Sequence, residues 1–344
     1  MPPLDPAVAH TRLAVRRVLA RWSTHPSRVD RAAMAPDAPL VLVALSGGAD
    51  SLALAAAVAF EAPRLGLRAG AVVVDHALQQ GSEEVSRVAA GQATSLGLDP
   101  VVVRRVRVTR GDADGPEAAA RAARYEAFAV VRAETGAAAI LTAHTRDDQA
   151  EQVLLALARG SGTRAIAGIP PERGAIHRPL LGISRGETEQ ACRAQGLEPW
   201  QDPHNTDPAF ARVRVRTRVL PLLEEELGPG VAAGLARTAD LAREDADALD
   251  RLAEQLHDSL TERSETGIAL SVKSLAEQPD ALRNRIIRRA AGAAFGSHLS
   301  REHTRSVAAL VTDWHGQGPI NVPGATVERI AGRLEFRAAG RSIS

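Results

Sequence analysis

The feature that most constrains this chain is VALSGGADSLALAAAVAF, residues 43–60, where an apolar run stops at two glycines and resumes as an alanine- and leucine-rich run. Leu40–Leu45 has the length and composition of a buried parallel strand, and helical residues follow from Ser51. A strand that enters a helix through so short a glycine turn aims backbone N–H groups at one point, which makes an anion site. Ser46, Gly47, Gly48, Ala49, Asp50 and Ser51 are therefore expected to cradle phosphate, the glycines admitting a close approach and the serines offering hydroxyls. GxxxxGK[ST] is absent and no lysine lies near, so this is not a Walker loop; nor is it a dinucleotide GxGxxG. An aspartate inside an anion site repels its ligand unless a cation intervenes, so Asp50 predicts a bridging Mg2+. The plainer reading, a tight turn capped by serine and aspartate, is disfavoured by the strand before it and the helix after it.

The alternation continues downstream. Ala71–Val74 reads as a second strand ending at Asp75 and His76, with Ser82–Leu96 its helix. Val101–Val108 and Gly115–Glu134 form the next pair, then Ala138–Thr142, running into Ala143 and His144, and the helix Arg146–Arg159. Such alternation implies an α/β domain: a Rossmann-like parallel sheet with helices on both faces and ligands at the carboxyl ends of its strands. An N-terminal helix over residues 7–22 precedes this core, which starts at about residue 40. Beyond Pro221 the texture changes, and Arg237–Glu265 holds nine acids against four arginines, with Leu249, Leu252, Leu256 and Leu260 at helical spacing. A smaller, mainly helical C-terminal domain is expected, closing in a short β tail at INVPGATVERIAGRLEFR with a turn at Pro323-Gly324. The expected division is 1–225 and 226–344.

A chain of 344 residues can bury cores for two such domains. A net charge of +1 and a pI of about 8.1 do not announce a nucleic-acid partner, so local clusters must make that case. The single cysteine, Cys192, excludes an intramolecular disulfide and any cysteine-built zinc or iron–sulfur site. It falls in a predicted surface helix, Glu187–Gln195, and reads as structural. No apolar run approaches the roughly 20 residues of a membrane span and no signal peptide opens the chain, so a soluble cytoplasmic protein is expected. Arginine almost wholly replaces lysine, Lys273 being the single lysine.

SGGADS in this position resembles the PP-loop of the ATP pyrophosphatase superfamily, whose members split ATP between its α and β phosphates and adenylate a carbonyl-type oxygen. The lone cysteine speaks against the tRNA thiolases of that superfamily, and there is neither room nor a cysteine for an ammonia-releasing glutaminase domain. ILTAHTRDDQAEQVLLALARGSG, residues 140–162, is similar to the TAHxxDDQAET and LxRGxG segment of the tRNA(Ile)-lysidine synthetase family, Gln152 departing from its threonine. VVVDHALQQGS resembles that family's VDHxLR segment. EAAARAARYEAFAVV resembles its ExxARxxRYxxF helix through Glu117, Arg121, Arg124, Tyr125 and Phe128. WQDPHNTDPAFARVRVRTRVLPLL resembles its W.DxSNxxxxxxRNxIRxxxLPxL block through Asp202, Asn205, Arg212, Arg216 and Pro221, with Val213 and His204 departing. The likeness spans about residues 40–223.

The resemblance implies ATP and Mg2+ as cofactors, and free L-lysine and tRNA(Ile) with a CAU anticodon as partners. The C2 oxygen of the wobble cytidine is adenylated and lysine's ε-amine then displaces AMP. By the same resemblance ATP lies at Ser46–Ser51 with Asp75 and His144 beside it. Metal falls on Asp50 and Asp147, catalysis on Asp50, Asp148, Glu151 and Arg212, and lysine on Asp148, Glu151 and Arg212. Asp147 and Glu151 stand four apart and should share a helix face, with Asp148 a step around; the plain alternative is helix acids that complement the dipole. His144 stays open between a general base and a histidine that closes the strand, while Tyr125 and Phe128 read as packing residues. On a helix Arg212 and Arg216 form one stripe, Arg214 and Arg218 the next, so Arg214, Arg216 and Arg218 are expected to grip tRNA phosphates. Residues 281–306 hold six arginines against one glutamate, and Arg285, Arg288 and Arg289 in that run are expected to bind tRNA as well. A thiolase-type PP-loop enzyme and a non-catalytic nucleotide- or tRNA-binding protein are the alternatives; the latter should have lost acids from its metal site, yet Asp50, Asp147, Asp148 and Glu151 are all present. No membrane partner is expected, and a homodimer stays open.

Overall fold

The structure, a computed structural model, describes residues 3–23, 37–77, 81–106, 115–160, 162–201, 207–264 and 267–339. Asp202, His204 and Asn205 and the side chain of Glu117 lie outside the described residues. Two compact units divide the chain, Met1–Asp240 and Leu241–Ser344, the division falling inside a long helix and downstream of position 225/226.

The first unit opens with helix α1 (Pro6–Leu19), where Asp5 accepts the Ala7 N–H at 2.8 Å and proline takes the first helical position. Strand β1 (Leu40–Ala44), helix α2 (Ala49–Glu61), β2 (Arg68–Asp75) and α3 (Ser82–Ser95) follow. Then come β3 (Val101–Arg105), α4 (Gly115–Thr135), β4 (Ala139–Leu141) and α5 (Arg146–Ala158). A single turn α6 (Thr163–Ile166), a two-residue hairpin of β5 (Glu172–Arg173) and β6 (Ile176–His177), and helix α7 (Arg185–Ala194) complete the core. Helix α8 (Ala211–Arg214) runs through a π-helical turn, Val215–Val219, into α9 (Leu220–Leu227), and α10 (Val231–Leu260) comes next.

The sheet has the order β3-β2-β1-β4-β6-β5 and is parallel except for β5, which runs against β6. The period of two in β1 explains its unbroken apolar run. Val41 and Val43 point into a core with Leu19, Leu52 and Val58, whereas Leu40 and Leu42 point into the opposite one with Phe128 and Val131. Phe128 packs as expected, with the Tyr125 ring edge-on to it at 5.8 Å. Strands β5 and β6 escaped the sequence reading because two residues cannot display a period. Helix α7 is more than a surface helix: its Thr188, Ala191 and Cys192 face is buried, and the Cys192 sulfur lies 3.3 Å from the Ala49 carbonyl oxygen. Burial pushes that thiol up to about 11, so it is protonated and inert at neutral pH.

The second unit holds the rest of α10, then β7 (Thr261–Ser264), β8 (Gly267–Ser271), α11 (Val272–Ala276), α12 (Asp280–Phe295), α13 (Arg301–Thr312), β9 (Ile320–Val322), β10 (Ala325–Ile330) and β11 (Arg333–Ala338). The expected β tail is real, with its turn at Pro323-Gly324, but it is part of a five-stranded antiparallel sheet, β7-β8-β11-β10-β9. Leu334 faces Leu270 and Phe336 faces Ile268 across β11 and β8. The β7–β8 hairpin was hidden at the sequence level because only its second strand carries apolar residues on the buried face. Among the described residues no helix is long and apolar enough to cross a membrane.

Candidate active site

The glycine turn sits where the strand order predicts a ligand crevice, at the carboxyl end of β1. The Leu45 N–H donates to the Val72 carbonyl at 2.9 Å, so the chain leaves β1 still paired to β2. Gly47 then takes φ +87°, a left-handed conformation that side chains with a Cβ rarely adopt, and its carbonyl accepts the Trp200 N–H at 2.9 Å. Gly48 is the N-cap of α2, and its backbone is ordinary, with φ −72°. Ser51 does not point outward. Its buried hydroxyl accepts the Ser46 N–H at 3.2 Å and lies 2.9 Å from the Gly48 carbonyl, closing the loop on itself. Ser46 is the exposed hydroxyl of the pair, and Ala49 opens the helix.

Asp50, in the first turn of α2, turns toward α7. Its carboxylate accepts from the Thr188 hydroxyl and has the Arg185 Nε at 3.6 Å. Burial dominates, pushing the Asp50 carboxyl up to about 6 against the opposing pull of Thr188 and Arg185.

The acids of α5 have more partners than their sequence suggests. Thr145 and Asp148 form a capping box in which Asp148 Oδ2 accepts the Thr145 N–H at 2.8 Å. That contact fixes Asp148 inward, and its Oδ1 meets Nη2 of Arg212 at 3.1 Å, of Arg185 at 3.2 Å and of Arg216 at 3.5 Å. Glu151 is fully buried, at 0 % exposure. Its Oε1 receives Arg216 Nε at 2.7 Å and Arg185 Nη1 at 3.4 Å, and its Oε2 receives Arg212 Nε at 2.7 Å and Arg216 Nη2 at 3.1 Å. Burial alone would raise the Asp148 carboxyl, but Arg212 and Arg185 outweigh it and hold the group below the usual carboxylate range. Asp147 instead accepts the backbone N–H of Arg185 at 2.8 Å, pinning the start of α7. The converging pair is thus Asp148 and Glu151 rather than Asp147 and Glu151, because the capping box commits Asp148 to the inner face.

Three acids, Asp50, Asp148 and Glu151, therefore face three guanidiniums, Arg185, Arg212 and Arg216. The α5 acids are already matched by the chain's own arginines and do not by themselves demand a metal. Among the described residues no group of three His, Cys, Asp or Glu could hold a metal ion. Mg2+ needs only one or two carboxylates beside phosphate oxygens, and Asp50, a half-buried carboxyl, has the hard oxygen donors it takes.

His144 follows β4 with Nδ1 3.1 Å from the Thr142 hydroxyl, and burial pushes it down to about 4, aided by Arg178, Arg212 and Arg121 against Asp148. It is neutral at pH 7 and too weakly basic to take a proton from an alkylammonium. Asp75 is buried at the end of β2, capping the Ala77 N–H at 2.9 Å with Arg105 Nε at 3.6 Å, so it shapes the loop after β2. The two arginine stripes part company. Arg212 and Arg216 point inward to Glu151, whereas Arg214 spans the Pro208 and Ala209 carbonyls and Arg218 is exposed with no ion pair among the described residues. Arg216 is therefore not placed to grip tRNA phosphate. Arg185 and Thr188 were not singled out in the sequence; Ser184 and Glu187 spell a capping box that locates the start of α7, but nothing local says that Arg185 reaches α5.

In the second unit Arg285 Nε meets Asp250 at 2.8 Å and Arg289 pairs with Glu254, so acids of α10 neutralise two of the three arginines expected to bind tRNA. Arg288 is exposed without an ion pair among the described residues, as are Arg301 and Arg305, which with Glu302 and Ser306 line an open depression of about 580 Å3.

A PP-loop domain family matches residues 23–223, and a TilS substrate binding domain family matches residues 270–335. The chain is 59% identical to a tRNA(Ile)-lysidine synthase of Leifsonia xyli subsp. xyli over 88% of its own length and 91% of that protein. It is 51% identical to a tRNA(Ile)-lysidine synthase of Streptomyces coelicolor over 96% of its length and 98% of that protein. Among solved structures, the U34-tRNA thiolase NcsA from Methanococcus maripaludis, with its [4Fe-4S] cluster, is similar with a TM-score of 0.52 at 17% identity, over 69% of this chain and 80% of that one. At that identity the likeness is one of fold.

Proposed function

Because the chain belongs to the tRNA(Ile)-lysidine synthase family of PP-loop proteins, we propose that it uses ATP to join free L-lysine to C2 of the wobble cytidine in the CAU anticodon of an isoleucine tRNA. The observation that carries this reading is the meeting of the anion-binding turn with the Asp148–Glu151 acid pair, bridged by one guanidinium, Arg185. Phosphate chemistry and recognition of a cationic amine are thereby adjacent.

ATP phosphates lie against the N–H groups of Gly47, Gly48 and Ala49 and the exposed Ser46 hydroxyl, and the C2 oxygen of the cytidine attacks the α-phosphorus as pyrophosphate leaves. An unstacked base in a single-stranded loop reaches such a pocket at low cost. Held by Asp50 and the free oxygen of Asp147, Mg2+ would offset charge on the phosphates. Lysine's amine then forms the C–N bond at C2, and AMP departs with the oxygen. The amine, with an ordinary pKa of about 10.4, is held as its ammonium by Asp148 and Glu151 and loses its proton to solvent before it attacks. Arg212 keeps its Nε on Glu151 and offers Nη1, which makes no hydrogen bond among the described residues, to lysine's α-carboxylate.

The thiolase alternative would need a reactive thiol, and Cys192 is buried and protonated. The test supplies ATP, radiolabelled lysine and tRNA(Ile) transcript carrying CAU, and follows acid-precipitable label. Label that requires all three is expected; label that enters methionine tRNA equally well, or no label at all, overturns the reading.

A further inference from the structure

Glu151 has no free valence in this arrangement. A carboxylate offers about four lone-pair sites, and its two oxygens already receive four guanidinium contacts. A substrate ammonium cannot join without displacing one of them. Adding a further cation to three acids, two of them buried, and three guanidiniums would also leave uncompensated charge, whereas an exchange keeps the balance.

We propose that Arg185 is the exchangeable member: its guanidinium occupies the cation position between Asp50, Asp148 and Glu151 and gives it up to the ε-ammonium of lysine. The proposal rests on the lysine-ligating reading above. Among the described residues the Arg185 guanidinium has no acid contact shorter than 3.2 Å (3.6, 3.2 and 3.4 Å), whereas Arg212 and Arg216 each hold Glu151 through Nε at 2.7 Å, Arg216 standing 3.5 Å from Asp148. Longer contacts are weaker ones. Its main chain is fixed independently, by Asp147 on its N–H and by the Ser184–Glu187 capping box, so the side chain can leave without moving α7. The side chain is 21% exposed, against 27% for Arg212 and 24% for Arg216, so a route to solvent exists for all three and contact strength is what sets Arg185 apart. Arg212 and Arg216, by contrast, both hold Glu151 from one helical segment.

The choice of arginine has a chemical reason. A guanidinium stays protonated near neutral pH and is no nucleophile. A primary amine at this place, beside a carbon activated for amine attack, would itself be ligated. Arg185 is thus a specificity residue: any incoming cation must out-compete it, which favours a ligand whose α-carboxylate and α-ammonium are also held.

The measurement is single-turnover discharge of preformed tRNA adenylate against lysine concentration. Arg185→Gln removes the competing charge, and half-saturation by lysine should fall, by up to about fivefold, the worth of one released ion pair, with ornithine discriminated less well. Half-saturation that is unchanged or raised overturns the proposal, showing a fixed tie between loop and acids. If Arg185→Gln does not fold, Arg185→Lys decides, since it keeps the charge. With ATP and tRNA but no free lysine, its Nζ should attack C2, forming a C–N bond, releasing AMP with the C2 oxygen and a proton to solvent, and leaving a covalent protein–tRNA band on a denaturing gel. Adenylate formed without such a band overturns the proposal. Failure of the wild-type protein to incorporate lysine at all would instead refute the parent reading.

Discussion

Gly47 and Gly48 are neighbours with different reasons to be glycine. At Gly47 the backbone requires it, with φ +87°. At Gly48 a Cβ would meet only the Ser46 hydroxyl oxygen at 3.8 Å, so the fold tolerates alanine there. Gly48→Ala should therefore cost only about 0.5–1 kcal/mol, the N-cap difference between glycine and alanine, while weakening ATP; urea unfolding and ATP titration should separate the two effects, and a large loss of stability would refute the assignment. Glu151→Gln behaves oppositely. It leaves three guanidiniums short of a buried counter-charge and should destabilise by roughly 3–5 kcal/mol, read in the urea midpoint before any kinetic effect is interpreted. Asp50 gives a pH signature. Its carboxyl stands at about 6 in the folded chain, above the ordinary value of about 3.9, so the folded state holds a proton that the unfolded state releases. Stability from that proton is present at low pH and lost as pH rises through about 6. Relative to wild type, Asp50→Asn should gain nothing near pH 4 and about 1–3 kcal/mol by pH 7; a flat difference would show that the carboxyl is not raised.

At the scale of elements, α5, α7 and the α8–α9 segment each bring one part of the site, and each is aimed by a local device. The capping box of α5 turns Asp148 inward, and that of α7 sets where Arg185 begins. Pro221 lacks the N–H that would bond the Thr217 carbonyl and crowds it, and the turn ahead of it widens to the π form of Val215–Val219. Arg212 and Arg216 emerge on one side of that segment, both on Glu151. Ser184→Ala should cost roughly 0.5–2 kcal/mol through the lost cap and loosen the Arg185 contacts. Rescue by Ser184→Asp but not by Ser184→Val, in thermal unfolding, distinguishes a cap from simple packing.

At the scale of the molecule, electrostatics must be counted after pairing. Arg285 and Arg289 are spent on Asp250 and Glu254, so the exposed positive surface of the second unit includes Arg288, Arg301 and Arg305, which have no ion pair among the described residues. Each phosphate contact contributes roughly 0.7–0.9 to the slope of log affinity against log salt. Replacing Arg301 and Arg305 by alanine should lower the slope for tRNA by about 1–2 units, whereas Arg289→Ala should leave it nearly unchanged. Equal effects from both would mean that the ion pair with Glu254 opens on binding.

By itself the sequence determined what is written in local order: the period-two apolar run of β1, the glycine turn into α2, the alternation that makes a parallel sheet, and the N-terminal position of the α5 acids. These depend on neighbours a few residues apart, and backbone sterics and hydrophobic periodicity act at that range. Only the tertiary structure decided which charges meet. Arg185 lies 34 residues from Glu151 and Arg216 lies 65, and no period relates them. Their pairing is settled by which faces of α5, α7 and α8 the packed core leaves opposed. For the same reason an acidic cluster read as a magnet for metal is, once folded, largely an ion-paired lattice of the chain's own making, and the two-residue strands β5 and β6 exist because neighbouring backbone groups need partners.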